Sequence, residues 1–259
     1  MLLQGALLGL VHEAKAIERG SQIAICYESN LDWPPYEYYQ RVNEVKTETL
    51  AGFSVDVLEA IFAEHGLRYA FVFYPWKRCL AYLAAGGGVQ MVLPTSVNDE
   101  RERKYLVSDS VYTVTPSYFY RRERYPAGLS VDKASELLQH GRVCGRLGYN
   151  YQNFGIDSTR MDTGAKDFDT LMRKLNSGHC DIILERYEIV AGLKLIGKSY
   201  LSSDIAYAPI PGSTGESFHY LISKHYRYGQ ELLRVLNSGI AKLRRDGKLK
   251  EMLQKQLKD

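Results

Sequence analysis

Short apolar runs alternate with helical repeats along this chain, and the alternation is carried through twice. "QIAICY" at 22–27 reads as a buried strand. "SVDVLEAIFAEHG" at 54–66 reads as a helix: Val57, Leu58, Ile61 and Phe62 recur at helical spacing, and Gly66 suits a C-cap. "RYAFVFY" at 68–74 predicts a strand ended by Pro75, "KRCLAYLAAGGG" a short helix stopped by glycines, and "VQMVL" at 89–93 a third strand. The pattern then restarts with "GRVCGRLG" at 141–148 as a strand, "AKDFDTLMRKLNSG" at 165–178 as a helix, "CDIIL" at 180–184 as a strand, and helix-like "RYEIVAGLKL". Two such series predict an α/β protein of two lobes, each built on a mostly parallel sheet flanked by helices. At the C-terminus Leu232, Leu236, Ile240 and Leu243 share one stripe, Gly247 breaks it, and a second amphipathic helix follows. Its Lys and Arg residues read as a solvated face.

At 259 residues the chain is long enough for two ordinary domains. A net charge of +3, with no basic block interleaved with aromatics, argues against a nucleic-acid partner. No apolar run approaches the roughly 20 residues that a membrane-spanning helix needs. Leu2 to Val11 is apolar, and Ala14-Lys15-Ala16 fits a cleavage pattern. Residues 1–16 therefore read as the end of an export signal without its basic start, a plain N-terminal helix being the alternative. Cys26, Cys79, Cys144 and Cys180 have no C-x-x-C spacing, which argues against zinc ribbons and thioredoxin-like motifs. They are expected as buried free thiols, with three pairings open in an exported protein.

Gly192-x-x-x-x-Gly197-Lys198-Ser199 matches the P-loop pattern in letters alone. A helical pattern precedes it where a strand is needed, and "YLSSDIAYAPIP" follows where a helix should start, so it is read as a chance match. The six histidines show no metal-ligand spacing, and there is no G-x-S-x-G elbow. No metal, cofactor or catalytic constellation is expected.

In open α/β sheets, ligands bind beyond the carboxyl ends of strands. "LDWPPYEYY" at 31–39 follows the first strand directly and sets Trp33, Tyr36 and Tyr38 around Pro34-Pro35. "YPWKR" at 74–78 ends the next strand with Trp76. Two aromatic loops at neighbouring strand ends suit a sandwiched small molecule, although any one ring can equally cap the core. The third strand runs into "TSVNDERERK" at 95–104, which ends in six consecutive charges. Such runs mostly coat an exposed helix. Here Ser96 or Asn98 suits an N-cap, and Ser96 with Asp99 fits a capping box, so Arg101 falls in the first turn. A cation there opposes the helix macrodipole, a placement that makes sense if an anion binds to the guanidinium and to the exposed helix N–H groups.

In order and spacing, "WPPYEYY", "GFSVDVLEAIF", "PWKRCLAYLAAGG", "VLPTSVNDERERKYLVSDSVY", "GRLGYNYQNFG", "LMRKLNSGHCDIIL" and "LLRVLNSGIAKLRRDGKLKEML" resemble the periplasmic solute-binding proteins of amino-acid ABC importers, from about Gln22 to the C-terminus. The resemblance implies a hinged, Venus-flytrap fold with two crossing strands. Residues 17–116 with 208–259 would form one lobe and 117–207 the other. It also implies an exported, periplasmic monomer that captures a small carboxylate and delivers it to an ABC permease. Arg101 matches the arginine that grips the ligand's α-carboxylate, Thr95 and Ser96 the polar segment before it, Trp33 and Trp76 the stacking rings, and Asn150 the second-lobe donors. The family's acid for the ligand ammonium falls near Glu185 and Arg186. Glu185 would take an ammonium, whereas an inward Arg186 would favour a diacid or another anion. A disulfide between lobes would block closure, so any pairs implied are Cys26–Cys79 and Cys144–Cys180. A fold-related dehydratase with Glu185 as general acid, and a sensing module for a separate partner, are the competing functions.

Overall fold

The computed structural model describes residues 17–29 and 31–258. The expected export signal at 1–16 lies outside the described residues. The chain opens with β1 (Gln22–Glu28), a hairpin of β2 (Tyr38–Val42) and β3 (Val45–Ala51), and α1 (Phe53–His65). Gly66 ends α1 in the left-handed conformation, at φ 66°, as its position suggested. Gly52, which starts the helix, is there for a different reason. A Cβ at this position would sit 2.4 Å from the Tyr36 carbonyl oxygen, so only glycine lets α1 begin against the Pro34-Pro35 loop.

Next come β4 (Arg68–Tyr74), α2 (Trp76–Ala85), β5 (Met91–Ser96), α3 (Asp99–Lys104), β6 (Tyr105–Val107) and β7 (Tyr112–Val114). The chain then leaves through β8 (Pro116–Arg121), α4 (Leu137–His140), β9 (Val143–Arg146), β10 (Asp162–Ala165), α5 (Phe168–Asn176), β11 (Ile182–Arg186), α6 (Tyr187–Gly192) and β12 (Ile205–Pro209). It returns in β13 (Glu216–Ser223), and closes with α7 (Gly229–Arg245) and α8 (Lys248–Lys258).

Two sheets organise these elements. The first has the order β4-β1-β5-β13-β6, with β7 also on β13; the second has the order β10-β9-β11-β8-β12. Each sheet is more mixed than the expected mostly parallel one. The β-α-β units give the parallel sets β4-β1-β5 and β10-β9-β11, while β13, β8 and β12 pair antiparallel. The reason lies in the connections. Strands made from a local β-α-β unit must run parallel, whereas those that carry the chain to and from the other sheet enter from the opposite end.

The helices cover both faces. Val57, Leu58, Ile61 and Phe62 of α1 meet Leu232, Leu236 and Ile240 of α7 in one core, and Cys79 and Leu83 of α2 fill the opposite face of the first sheet. In the second sheet, Phe168, Leu171, Met172 and Leu175 of α5 bury the side facing Ile183. The cysteines depart from the expected free thiols. Cys26 bonds to Cys79 and Cys144 to Cys180, and no described cysteine is free. Their Cα atoms lie 5.6 and 5.9 Å apart, within bridging range, because α2 packs directly on β1 and Cys180 enters β11 beside β9. Each bond stays within the elements of one sheet, which is the pairing compatible with a moving hinge. No helix among the described residues is long and apolar enough to cross a membrane.

Candidate functional site

The carboxyl ends of β1, β4 and β5 face the second lobe across a cleft of about 560 Å³ of atom-free space, part of it open to solvent. Arg101 is its centrepiece. The guanidinium is 8% exposed and lies with its carbon 5.6 Å from the centre of the Trp76 ring. Its Nη1 donates to Thr95 Oγ1 at 3.0 Å and to the Ser96 carbonyl. These acceptors are neutral. Among the described residues no carboxylate lies within ion-pair distance of Arg101. Burial, followed by the nearby Arg186 charge, pulls its pKa below the usual arginine value. A buried cation left in this state is costly, and an anion brought into the cleft relieves it.

The local fold around Arg101 differs from the expected capping box. Asn98 is the N-cap, accepting from the Arg101 backbone N–H at 2.9 Å, while Ser96 remains at the end of β5. Since α3 has only six residues and this N–H is already taken, the guanidinium rather than the helix start supplies the positive charge. Arg103, two residues on, is exposed.

The second lobe brings Arg186 to the cleft wall and leaves Glu185 beneath it, 0% exposed. Alternation along β11 sets this difference, since adjacent strand residues face opposite ways. Arg186 Nε donates to Glu216 Oε2 at 2.6 Å and its Nη2 to Glu216 Oε1 at 3.0 Å. Its Nη2 also reaches the Asn150 carbonyl at 2.9 Å. Burial alone would lower the Arg186 pKa, yet Glu216 and Glu185 together hold it above the usual value. Arg186 is therefore a neutralised cation that fastens β11 to the start of β13. Asn150 joins the same contact, donating to Ser96 Oγ at 3.3 Å, and Asn153 donates to Glu216 Oε1 at 3.0 Å.

Of the nine residues named from sequence, seven line this cleft: Arg101, Trp33, Trp76, Thr95, Ser96, Asn150 and Arg186. Tyr36 and Glu185 do not. Tyr36 is 2% exposed and stacks on Tyr112 with ring centres 3.7 Å apart, so its ring caps the core. Sequence reasoning missed Tyr149 and Phe218, whose ring centres lie 5.7 and 6.0 Å from that of Trp33, and also missed Glu28, Glu37 and Glu216. No signal marked Phe218 and Glu216, because β13 was not recognised as a strand. The P-loop match proves to be the end of α6 and a turn. Gly192 is glycine because a Cβ there would meet the Pro34 carbonyl oxygen at 2.4 Å across the lobe contact.

Glu37 offers a pH handle on the cleft floor. It is 2% exposed, its Oε1 has no hydrogen-bond partner, and burial, only partly offset by Ser54, raises its pKa from 4.5 to about 8. The folded state therefore holds a proton that the unfolded chain gives up near pH 4.5. The stabilisation is complete below that pH and is lost as pH rises through about 8. Denaturant unfolding of the parent and Glu37→Gln at several pH values is expected to show a stability difference that falls by roughly 1.4 kcal/mol per pH unit across that window. A difference that stays flat with pH would contradict the assignment.

These features define a two-lobed α/β protein whose cleft holds a buried arginine without an ionic partner among the described residues. Over residues 25–259 the chain matches the bacterial extracellular solute-binding proteins, family 3, and it belongs to that family. Its fold is similar to an ancestral arginine-binding protein bound to arginine (17% identical, 92% of this chain and 99% of that one, TM-score 0.70). It is also similar to an ABC uptake transporter substrate-binding protein of Streptococcus pneumoniae with bound histidine (20% identical, 92% and 93%, TM-score 0.71). An ancestral amino-acid-binding protein described as a precursor of cyclohexadienyl dehydratase shares the fold as well (16% identical, 91% and 95%, TM-score 0.68). No curated protein matches the chain.

Proposed function

We propose that the protein captures a small carboxylate, an amino acid or a related organic anion, in the cleft, closes its lobes on it, and delivers it after export to an ABC permease. It acts in the periplasm as a monomer without catalysis. Arg101 is the observation that carries this reading: a buried guanidinium at a cleft wall, held by neutral acceptors and an aromatic ring, with no carboxylate within ion-pair distance among the described residues. Trp33 and Trp76 supply the ring faces, and Thr95, Ser96 and Asn150 supply polar contacts at the same wall. In this reading residues 17–116 with 208–259 form one lobe and 117–207 the other. Closure follows from differential contact, since a ligand that touches both lobes binds the closed state more tightly than the open one. The dehydratase alternative took Glu185 as its general acid, and Glu185 is buried behind Arg186 and does not line the cleft.

Native mass spectrometry of freshly purified protein, followed by a thermal-shift screen of amino acids and organic acids, tests the reading. At least one carboxylate is expected to raise the melting temperature by several degrees, and its neutral amide or ester to raise it far less. A panel in which no carboxylate shifts the transition, or in which neutral analogues do as well, would overturn it.

A further inference from the structure

Arg146, at the end of β9, is a second buried guanidinium without a partner. It is 4% exposed, its Nε is fully buried with no hydrogen bond, and no hydrogen bond or ion pair of its side chain occurs among the described residues. The Tyr149 ring lies against it, its centre 4.2 Å from the guanidinium carbon. It faces a recess that also contains Glu28 and Leu31, two residues shared with the Arg101 cleft. The recess therefore adjoins the Arg101 cleft, with Glu28 and Leu31 at their common border.

The acids around Arg146 do not neutralise it. Asp32 is paired with Arg41 at 2.7 Å, Asp169 with Lys198 at 2.6 Å, and Asp167 caps α5 by accepting from the Thr170 N–H at 2.7 Å. Burial would lower the Arg146 pKa, yet Tyr149, Glu185 and Glu28 hold it above the usual arginine value, while no carboxylate among the described residues comes within ion-pair distance of it. Burial raises the pKa of Glu28 itself, with only partial relief from Arg146 and Tyr149. By contrast Arg186, between the two lobes, is already satisfied by Glu216.

We infer that Arg146 is a second anion anchor, so that the ligand is a dianion with one carboxylate on Arg101 of the first lobe and another on Arg146 of the second. This rests on the reading of Arg101 given above and specifies the ligand class. The two arginines belong to opposite lobes, so such a ligand ties them together with two charge-assisted contacts. The second carboxylate is then the group that favours closure, because Arg146 gains its partner only when the second lobe has moved onto the ligand.

Calorimetry with paired ligands tests the inference: succinate, glutarate, L-aspartate and L-glutamate, each against its mono-amide. In the parent protein at least one dicarboxylate is expected to bind about tenfold or more tightly than its amide. Arg146→Gln is expected to erase most of that difference, and Arg146→Lys to restore part of it. The acid–amide comparison in the parent needs no variant, so a poorly folding substitution does not spare the proposal. Equal binding of every acid and its amide would refute the second anchor, as would an unchanged acid affinity in a folded Arg146→Gln protein. If single carboxylates bind and Arg101→Ala abolishes that binding while acid and amide remain equal, only the second anchor fails. If no carboxylate of any kind binds, the reading of Arg101 fails with it.

Discussion

Arg101→Ala is expected to weaken binding of carboxylate ligands by about 2–5 kcal/mol, roughly thirtyfold to a few thousandfold in Kd. The loss is large because the substitution leaves the ligand's carboxylate buried in a cleft without its ionic partner. The same substitution is expected to leave the ligand-free protein as stable as before, or slightly more so. In the free protein Arg101 is a buried charge held by the neutral groups of Thr95 and Ser96 and by the Trp76 ring, so its removal also removes a desolvation cost. Opposite effects on affinity and stability mark a ligand anchor, whereas a structural arginine would lose both together. Calorimetry alongside thermal unfolding without ligand reads both quantities, and an unchanged Kd would end the assignment.

Glu216→Ala is expected to have the largest effect on the fold, about 3–5 kcal/mol of lost stability, because it strands the Arg186 guanidinium in a buried site. Glu185 remains within 3.3 Å of Arg186 Nη1, but the bidentate contact and the Asn153 hydrogen bond to Glu216 are lost. Replacing both members of the pair, as in Arg186→Met with Glu216→Met, is expected to recover much of that loss, since an apolar pair leaves no unmatched charge. Denaturant midpoints for the two variants decide it. A single variant as stable as the parent would show that the pair contributes nothing.

The parts of the cleft legible in the sequence are those produced by local pattern. Trp33, Trp76 and Arg101 each follow an apolar run that forms a strand, and the rule that ligands bind at strand ends is enough to place them. What stayed hidden depends on contacts distant in sequence. Trp33 and Tyr36 share one loop, yet the first ring faces the cleft and the second stacks on Tyr112, a choice made by the Pro34-Pro35 turn rather than by periodicity. Arg186 finds Glu216 thirty residues later, on a strand that sits between β5 and β6 in the sheet. The β2–β3 hairpin also went unread, because its exposed, mixed polar strands carry little hydrophobic alternation. The cysteine pairs needed the resemblance, since spacing alone allowed every connectivity.

The position of β13 sets the order in which the molecule can be completed. It lies in the middle of the first sheet, bonded to β5, β6 and β7, yet it is the last strand of the chain. All the strands of the second sheet are made before it. As the polypeptide emerges, β10-β9-β11-β8-β12 can assemble as a unit, while β1, β4 and β5 wait with an open edge. A premature stop anywhere before residue 216 leaves that edge exposed to pairing with other chains.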